Sequence, residues 1–201
     1  MKSGLMLGVN PKAKREENDF YATNPKALRL LLNKLKQDNI ILNNNIWECS
    51  CGQGHLSKEL LDNGYKVISS DLIDRGYGEV KDFLKCKDKF NGDILTNPPF
   101  KLAEDFIEKS MNLLSKGNKL ILFLKIQFIE GQRRNKLFKK YNIKYVYAHS
   151  SRQQCSKNAD FEHLNATTQF YAWFIFEKGY VGDTILRWLK EEKGGRNSSH
   201  S

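Results

Sequence analysis

The chain has 201 residues, enough for one domain with at most a small appendage. Hydrophobic residues make up 40% and charged residues 28%, which excludes wholesale disorder and provides for an ordinary globular core. The net charge of +10 suits a polyanionic partner such as DNA or RNA, although a lysine-rich solvated surface accounts for the charge equally well.

No apolar run is long enough to span a bilayer. The N-terminal stretch MKSGLMLGVNPKAKREEN lacks a signal-peptide core and a small-residue cleavage site, so a cytoplasmic location is expected. Of the four cysteines, only Cys49 and Cys51 are close, and no second pair faces them. That spacing speaks against structural zinc and for reduced, mostly buried thiols.

Residues 1–18 are polar and basic and read as a flexible arm. Residues 24–37, NPKALRLLLNKLKQ, carry apolar side chains at helical spacing, with Asn24 as N-cap and Pro25 at the first helical position. Residues 45–50 read as a buried strand, and 54–65 as a helix that stops at Gly64. Residues 66–72 form a second strand, and 92–99 contain a short third one. Residues 102–117 pattern as a strongly amphipathic helix with a glycine stop. Residues 118–126, NKLILFLKI, are the most apolar strand and belong at the centre of a sheet. A short basic helix at 133–142 precedes two strands, 143–149 and 169–180, separated only by polar residues. The tail from 190 to 201 is charged and then Gly/Ser-rich, and reads as disordered.

Alternating strands and helices imply a doubly wound, mostly parallel α/β sheet within a single domain over 19–189. The last two strands lack an intervening helix, so an antiparallel strand is expected to close the sheet. Ligands of such folds bind beyond the carboxyl ends of the strands.

Those ends carry the notable residues. After the first strand, ECSCGQGHL places Gly52 and Gly54 where a tight turn and a close backbone approach are possible. No Lys-Ser/Thr follows, so this is not a phosphate loop. After the second strand stands Asp71, which can accept from ribose hydroxyls or cap a turn. Next comes Asp82 beside Phe83, an acceptor for an exocyclic amine and a ring that can stack on a purine. After the third strand comes Asn97-Pro98-Pro99-Phe100. The prolines stiffen the loop. The asparagine oxygen and the Pro98 carbonyl can then accept both hydrogens of one amino group. Two such acceptors draw electron density onto an aromatic amine without a tuned base, and the following ring can hold the base in line with an electrophile.

Together these segments resemble the S-adenosylmethionine-dependent amino-methyltransferases. DFYATNPKALRLLL, residues 19–32, further resembles the D-x-Y-x-T-P segment of DNA N6-adenine methyltransferases of the small phage and prophage type. Here proline follows Thr23 one residue later than in that pattern. YAWFIFEKGY looks like the closing strand of the same group, and the resemblance covers about residues 19–182.

The resemblance implies a class I, Rossmann-like fold with a seven-stranded sheet. It implies methyl transfer to adenine N6 in DNA, with S-adenosylmethionine as cofactor and no metal. Asn97, Pro98, Pro99 and Phe100 would form the catalytic set. Tyr21, Thr23, Glu48, Cys49, Gly52 and Gly54 would surround the methionine part of the cofactor, with Asn97 bordering it. Asp71 would take the ribose hydroxyls, and Asp82 with Phe83 the adenine. For the nucleic acid, Arg133, Arg134, Lys139 and Lys140 supply cations that can anchor phosphates. Arg152 and Gln153 stand in the polar segment with room to read bases. No separate recognition domain fits in the chain, so short or relaxed specificity, or a partner subunit that supplies it, is expected. RNA amino-methylation, methylation of a glutamine side chain and a catalytically silent nucleic-acid-binding role stay open as alternatives.

Overall fold

The structure is a computed structural model and describes residues 21–151, 155–157 and 170–190. It begins with β1 (Tyr21–Thr23) and α1 (Pro25–Gln37). Asn24 caps α1 by accepting from the Lys26 N–H at 3.0 Å, and Pro25 follows at the first helical position. The extra asparagine before the proline thus serves the helix start. Then come β2 (Asn45–Glu48), α2 (His55–Asp62), β3 (Lys66–Asp71), β4 (Glu79–Val80) and β5 (Asp93–Thr96). They are followed by α3 (Ala103–Leu113), β6 (Lys119–Lys125), α4 (Asn135–Lys140) and β7 (Ile143–His149). The last elements are β8 (Cys155–Lys157), β9 (Tyr171–Glu177) and β10 (Ile185–Leu189).

The main sheet has the order β10-β7-β9-β6-β5-β2-β3-β4. All neighbours are parallel except β9, which runs antiparallel between β6 and β7. This is the doubly wound sheet with an antiparallel closing strand that the sequence predicts, and β6 lies at its centre. The sheet holds eight strands rather than seven, because β10 adds outside β7. Leu186 and Trp188 of β10 are more than half exposed, as the outermost strand allows, so its apolar pattern marks no buried face. A separate two-stranded pair joins β1 to β8 antiparallel, and β1 lies against α2.

Alternation sends successive side chains of the central strands to opposite faces. On one face Ile46, Leu95, Ile121, Trp173 and Ile175 pack against the leucines of α1 and α2. On the other, Ile94, Leu120, Leu122, Phe174 and Phe176 pack against Phe106, Ile107 and Met111 of α3 and Leu137 of α4. Among the described residues no helix is long and apolar enough to cross a membrane.

The amino ends of the central strands share one polar fixture. Asp93, fully buried at the start of β5, accepts from the Asn43 N–H and the Lys119 N–H, each at 2.7 Å. It joins the chain entering β2 to the first residue of β6. Asp93→Ala leaves two half-buried donors without their acceptor, each costing about 1 kcal/mol or more. Urea unfolding is therefore expected to show a loss of about 2 kcal/mol or more; a loss below about 0.5 kcal/mol would remove Asp93 from this role.

Candidate active site

Parallel strands deliver their carboxyl ends to one edge of the sheet. The strand order diverges between β2 and β5, which opens a crevice at that edge. Four of the sequence-predicted groups stand there: Glu48 ends β2, the glycine turn follows it, Asp71 ends β3, and Asn97 follows β5.

The turn depends on two left-handed glycines, Gly52 at φ 54° and Gly54 at φ 78°. A side chain at Gly54 would fall 2.3 Å from the ring of Tyr77, so the group that closely approaches this backbone is Tyr77. The Cys51 N–H donates to the Ser70 carbonyl at 3.0 Å, and the Gly54 N–H to the Cys51 carbonyl at 2.8 Å. Asp71 does more than face a ligand. Its Oδ2 accepts from the Gly52 N–H at 2.8 Å and its Oδ1 from the Ile73 N–H at 3.1 Å. Each carboxylate oxygen keeps a further lone pair for a hydroxyl donor.

Beneath the turn, Glu48 is buried and accepts a short hydrogen bond from the Ser57 hydroxyl. Ser57 also meets Ser69, Oγ to Oγ, at 2.6 Å. Burial pushes the Glu48 carboxyl up to about 8, the Ser57 hydrogen bond opposes this, and the charge of Asp71 adds to it. At neutral pH the group is therefore mainly protonated.

Two cofactor assignments need correction. Cys49 points into the core beside Trp47 and Phe83, and burial pushes its thiol well up; only its backbone borders the crevice. Phe83 is 3% exposed. Its ring lies edge-on 5.2 Å from Trp47 and tilted 5.0 Å from Phe106, so it packs the core and offers no open face to a purine. Its neighbour Asp82 stays at the surface. It accepts from the Leu84 N–H at 3.0 Å and pairs with Lys85 at 3.1 Å.

In the Asn-Pro-Pro-Phe segment, Asn97 and Phe100 are half-buried, Pro98 is buried and Pro99 is exposed. The Pro99 carbonyl accepts from the Leu102 N–H at 2.8 Å, so it is engaged in the turn that starts the next helix. Phe100 packs against both core clusters. Thr23 is 3% exposed, and its Oγ1 has no hydrogen-bond partner among the described residues. Tyr21 is in β1, and its side chain, like Arg152 and Gln153, lies outside the described residues.

The structure adds residues that the motifs do not name. Because β9 is antiparallel, its first residue, Tyr171, arrives at the same edge. Its ring stacks on Phe123 at 5.1 Å and lies 6.1 Å from Phe100. Lys125, which ends β6, holds its ammonium 5.4 Å from the Phe100 ring centre. Tyr77 covers the glycine turn between two left-handed glycines, Gly76 and Gly78. Both strand-end residues follow from strand direction alone, and the Gly-Tyr-Gly spelling is the signal for the third.

The basic segment is less open than its composition suggests. Arg134 pairs with Glu104 at 3.2 Å, donates to the Glu130 carbonyl at 2.7 Å and lies 4.7 Å over the Phe128 ring. Lys140 pairs with Glu108 at 3.5 Å. Arg133 reaches Glu104 at 3.9 Å but is 89% exposed, and Lys139 is exposed. Acids of α3 thus temper the cluster, and Arg134 serves the fold.

No family model matches the sequence. A tRNA dimethylallyltransferase of Campylobacter lari is 26% identical over 160 residues, 73% of this chain and 52% of its own, so the chain spans about half the length of that relative. Among solved structures, a Listeria monocytogenes protein assigned to the class I S-adenosylmethionine-dependent methyltransferases superposes with a TM-score of 0.58 at 17% identity. The match covers 83% of this chain and 65% of that one, just under two thirds. Magnesium protoporphyrin IX methyltransferase of Synechocystis, solved with bound S-adenosylmethionine, gives 0.52 at 14% identity over 77% of this chain and 79% of that one. The chain has the fold of the class I methyltransferases.

The buried Glu48 makes a prediction about pH. Its folded pKa is raised, so between the ordinary carboxylate value and about 8 the folded chain holds a proton the unfolded chain has released. Stability therefore falls as pH rises through that window. Glu48→Gln stays neutral throughout. Its melting temperature is expected to vary less than that of the wild type from about pH 5 to 8 and to exceed it at the upper end. Parallel curves for the two proteins would contradict the raised pKa.

Proposed function

We propose that the chain transfers a methyl group from S-adenosylmethionine to the exocyclic N6 amine of adenine in DNA. The observation that carries this reading is Asn97-Pro98-Pro99-Phe100 following β5, across the crevice from a glycine turn fastened by Asp71.

The residues present fit this cofactor. Glu48, Asp71 and Asp82 gather carboxyl groups at or just after three strand ends, and no Lys-Ser/Thr follows the glycines. With Glu48 mainly protonated and Asp82 paired with Lys85, Asp71 supplies the charge, and the set suits a ligand bearing hydroxyls rather than a phosphate. The buried Thr23 Oγ1, on a strand packed against α2, is a further polar group available at that end. When bound, the cofactor supplies an electrophilic methyl on a positively charged sulfonium.

The chain's own residues do the rest by positioning. Gly52 and Gly54 permit close backbone approach, and Asp71 is placed to accept from ribose hydroxyls. The Asn97 side chain and the Pro98 carbonyl accept from the amine's two hydrogens, which turns its lone pair toward the methyl. Phe100 stacks on the base. With the cofactor bound, the N–C bond would form as the S–C bond breaks, and the amine's surplus proton would pass to water. A base within a duplex must leave the stack to reach this crevice.

RNA is the second reading, favoured by the tRNA in the name of the Campylobacter lari relative. The deciding assay offers labelled S-adenosylmethionine with unmethylated DNA, total RNA and protein extract in parallel, followed by nucleoside mass spectrometry. N6-methyladenine in DNA alone is expected. Asn97→Ala should lower the rate at least about 100-fold, the scale on which oriented groups contribute. Label confined to RNA or protein would overturn the substrate. Cofactor binding without transfer would favour a silent relative or a missing partner.

A further inference from the structure

The cation beside Phe100 belongs to none of the roles assigned above. Lys125 is the last residue of the central parallel strand β6, and it pairs in register with Tyr171 across β6 and β9. The next residue fastens the strand end, with the Ile126 N–H donating to the Phe170 carbonyl at 2.9 Å. The backbone of Lys125 is therefore held against β9, and its stem is flexible. The side chain is half-buried, with the ammonium 5.4 Å from the centre of the Phe100 ring, within cation–π range.

This places a charge beside the ring that the proposed reaction uses as a stacking platform. A base stacking on Phe100 competes with the ammonium for ring surface and brings a negatively charged phosphodiester to the rim. Lysine suits such an exchange: a compact charge with three donors that a flexible stem carries from a ring to a phosphate.

We propose that Lys125 is the phosphate contact of the target nucleotide, leaving the Phe100 ring for that phosphate as the base takes its place. This rests on the nucleic-acid reading of the same site. It makes Lys125 a substrate-positioning residue, separate from the cofactor half.

The test is the salt dependence of binding by the full-length protein. Fluorescence anisotropy with adenine-containing single-stranded DNA and RNA oligonucleotides, titrated over a range of KCl, gives the slope of log K against log [salt]. One lost phosphate contact lowers that slope by about 0.7 on a single strand. Lys125→Gln is expected to lose about that much and to bind several-fold more weakly at low salt. Lys125→Arg keeps the slope. Lys66→Ala, at the opposite end of the sheet, also keeps it. Affinity for S-adenosylmethionine stays unchanged in all three. The strand type on which the slope changes identifies the source of the phosphate.

An unchanged slope in Lys125→Gln, beside a wild type that binds, overturns the assignment and leaves the methyltransferase reading standing. An equal loss in Lys66→Ala also overturns it, since that reports overall charge. A wild type without affinity for either strand overturns the nucleic-acid reading, and this contact with it.

Discussion

Asp93 is the fixture on which the site depends. A carboxylate with no solvent exposure is costly unless its oxygens are satisfied, and here two backbone N–H groups satisfy them. Those donors lie before β2 and at the start of β6, so one side chain aligns the amino ends of the three central strands. From those aligned starts β2 and β5 each run four residues, ending at Glu48 and just before Asn97, while β6 runs seven and carries Lys125 further out in the same direction.

The crevice at that edge has two unlike halves. On the β2–β3–β4 side, glycine backbone and carboxyl groups dominate: Gly52, Gly54, Glu48, Asp71 and Asp82. On the β5–β6–β9 side, rings and a cation dominate: Phe100, Tyr171 over Phe123, and Lys125. Asn97 stands between them. A donor with hydroxyls suits the first half, and a flat base with its phosphate suits the second. The bond-making atoms would meet where the two halves join. Glu48 contributes differently. Its raised pKa keeps a second full negative charge away from Asp71, which limits repulsion beneath the turn.

Much of this was legible in the sequence where local physics decides. Asn24-Pro25 spelled a helix start, and left-handed Gly64 spelled the end of α2, whereas α3 ends at Leu113, four residues before Gly117. NKLILFLKI read as a central strand because burial on both faces leaves no polar alternation. The missing helix before β9 correctly implied an antiparallel return. β10 was not legible, since an outermost strand with exposed Leu186 and Trp188 carries no burial pattern. Phe83 was misread because its position beside Asp82 says nothing about which way its ring turns, and packing with Trp47 and Phe106 decided that. The charge of 133–140 was legible but its use was not, because the acids that temper it come from α3.

The central claim is the division of labour across the crevice, and calorimetric titration of S-adenosylmethionine into two variants tests it most directly. Asp71→Ala is expected to weaken binding by about 1–2 kcal/mol, the usual loss for charged hydrogen bonds, or roughly tenfold. Asn97→Ala is expected to bind nearly as the wild type does, because its side chain is proposed to serve the amine. Unaltered binding in Asp71→Ala, or abolished binding in Asn97→Ala, would contradict the division.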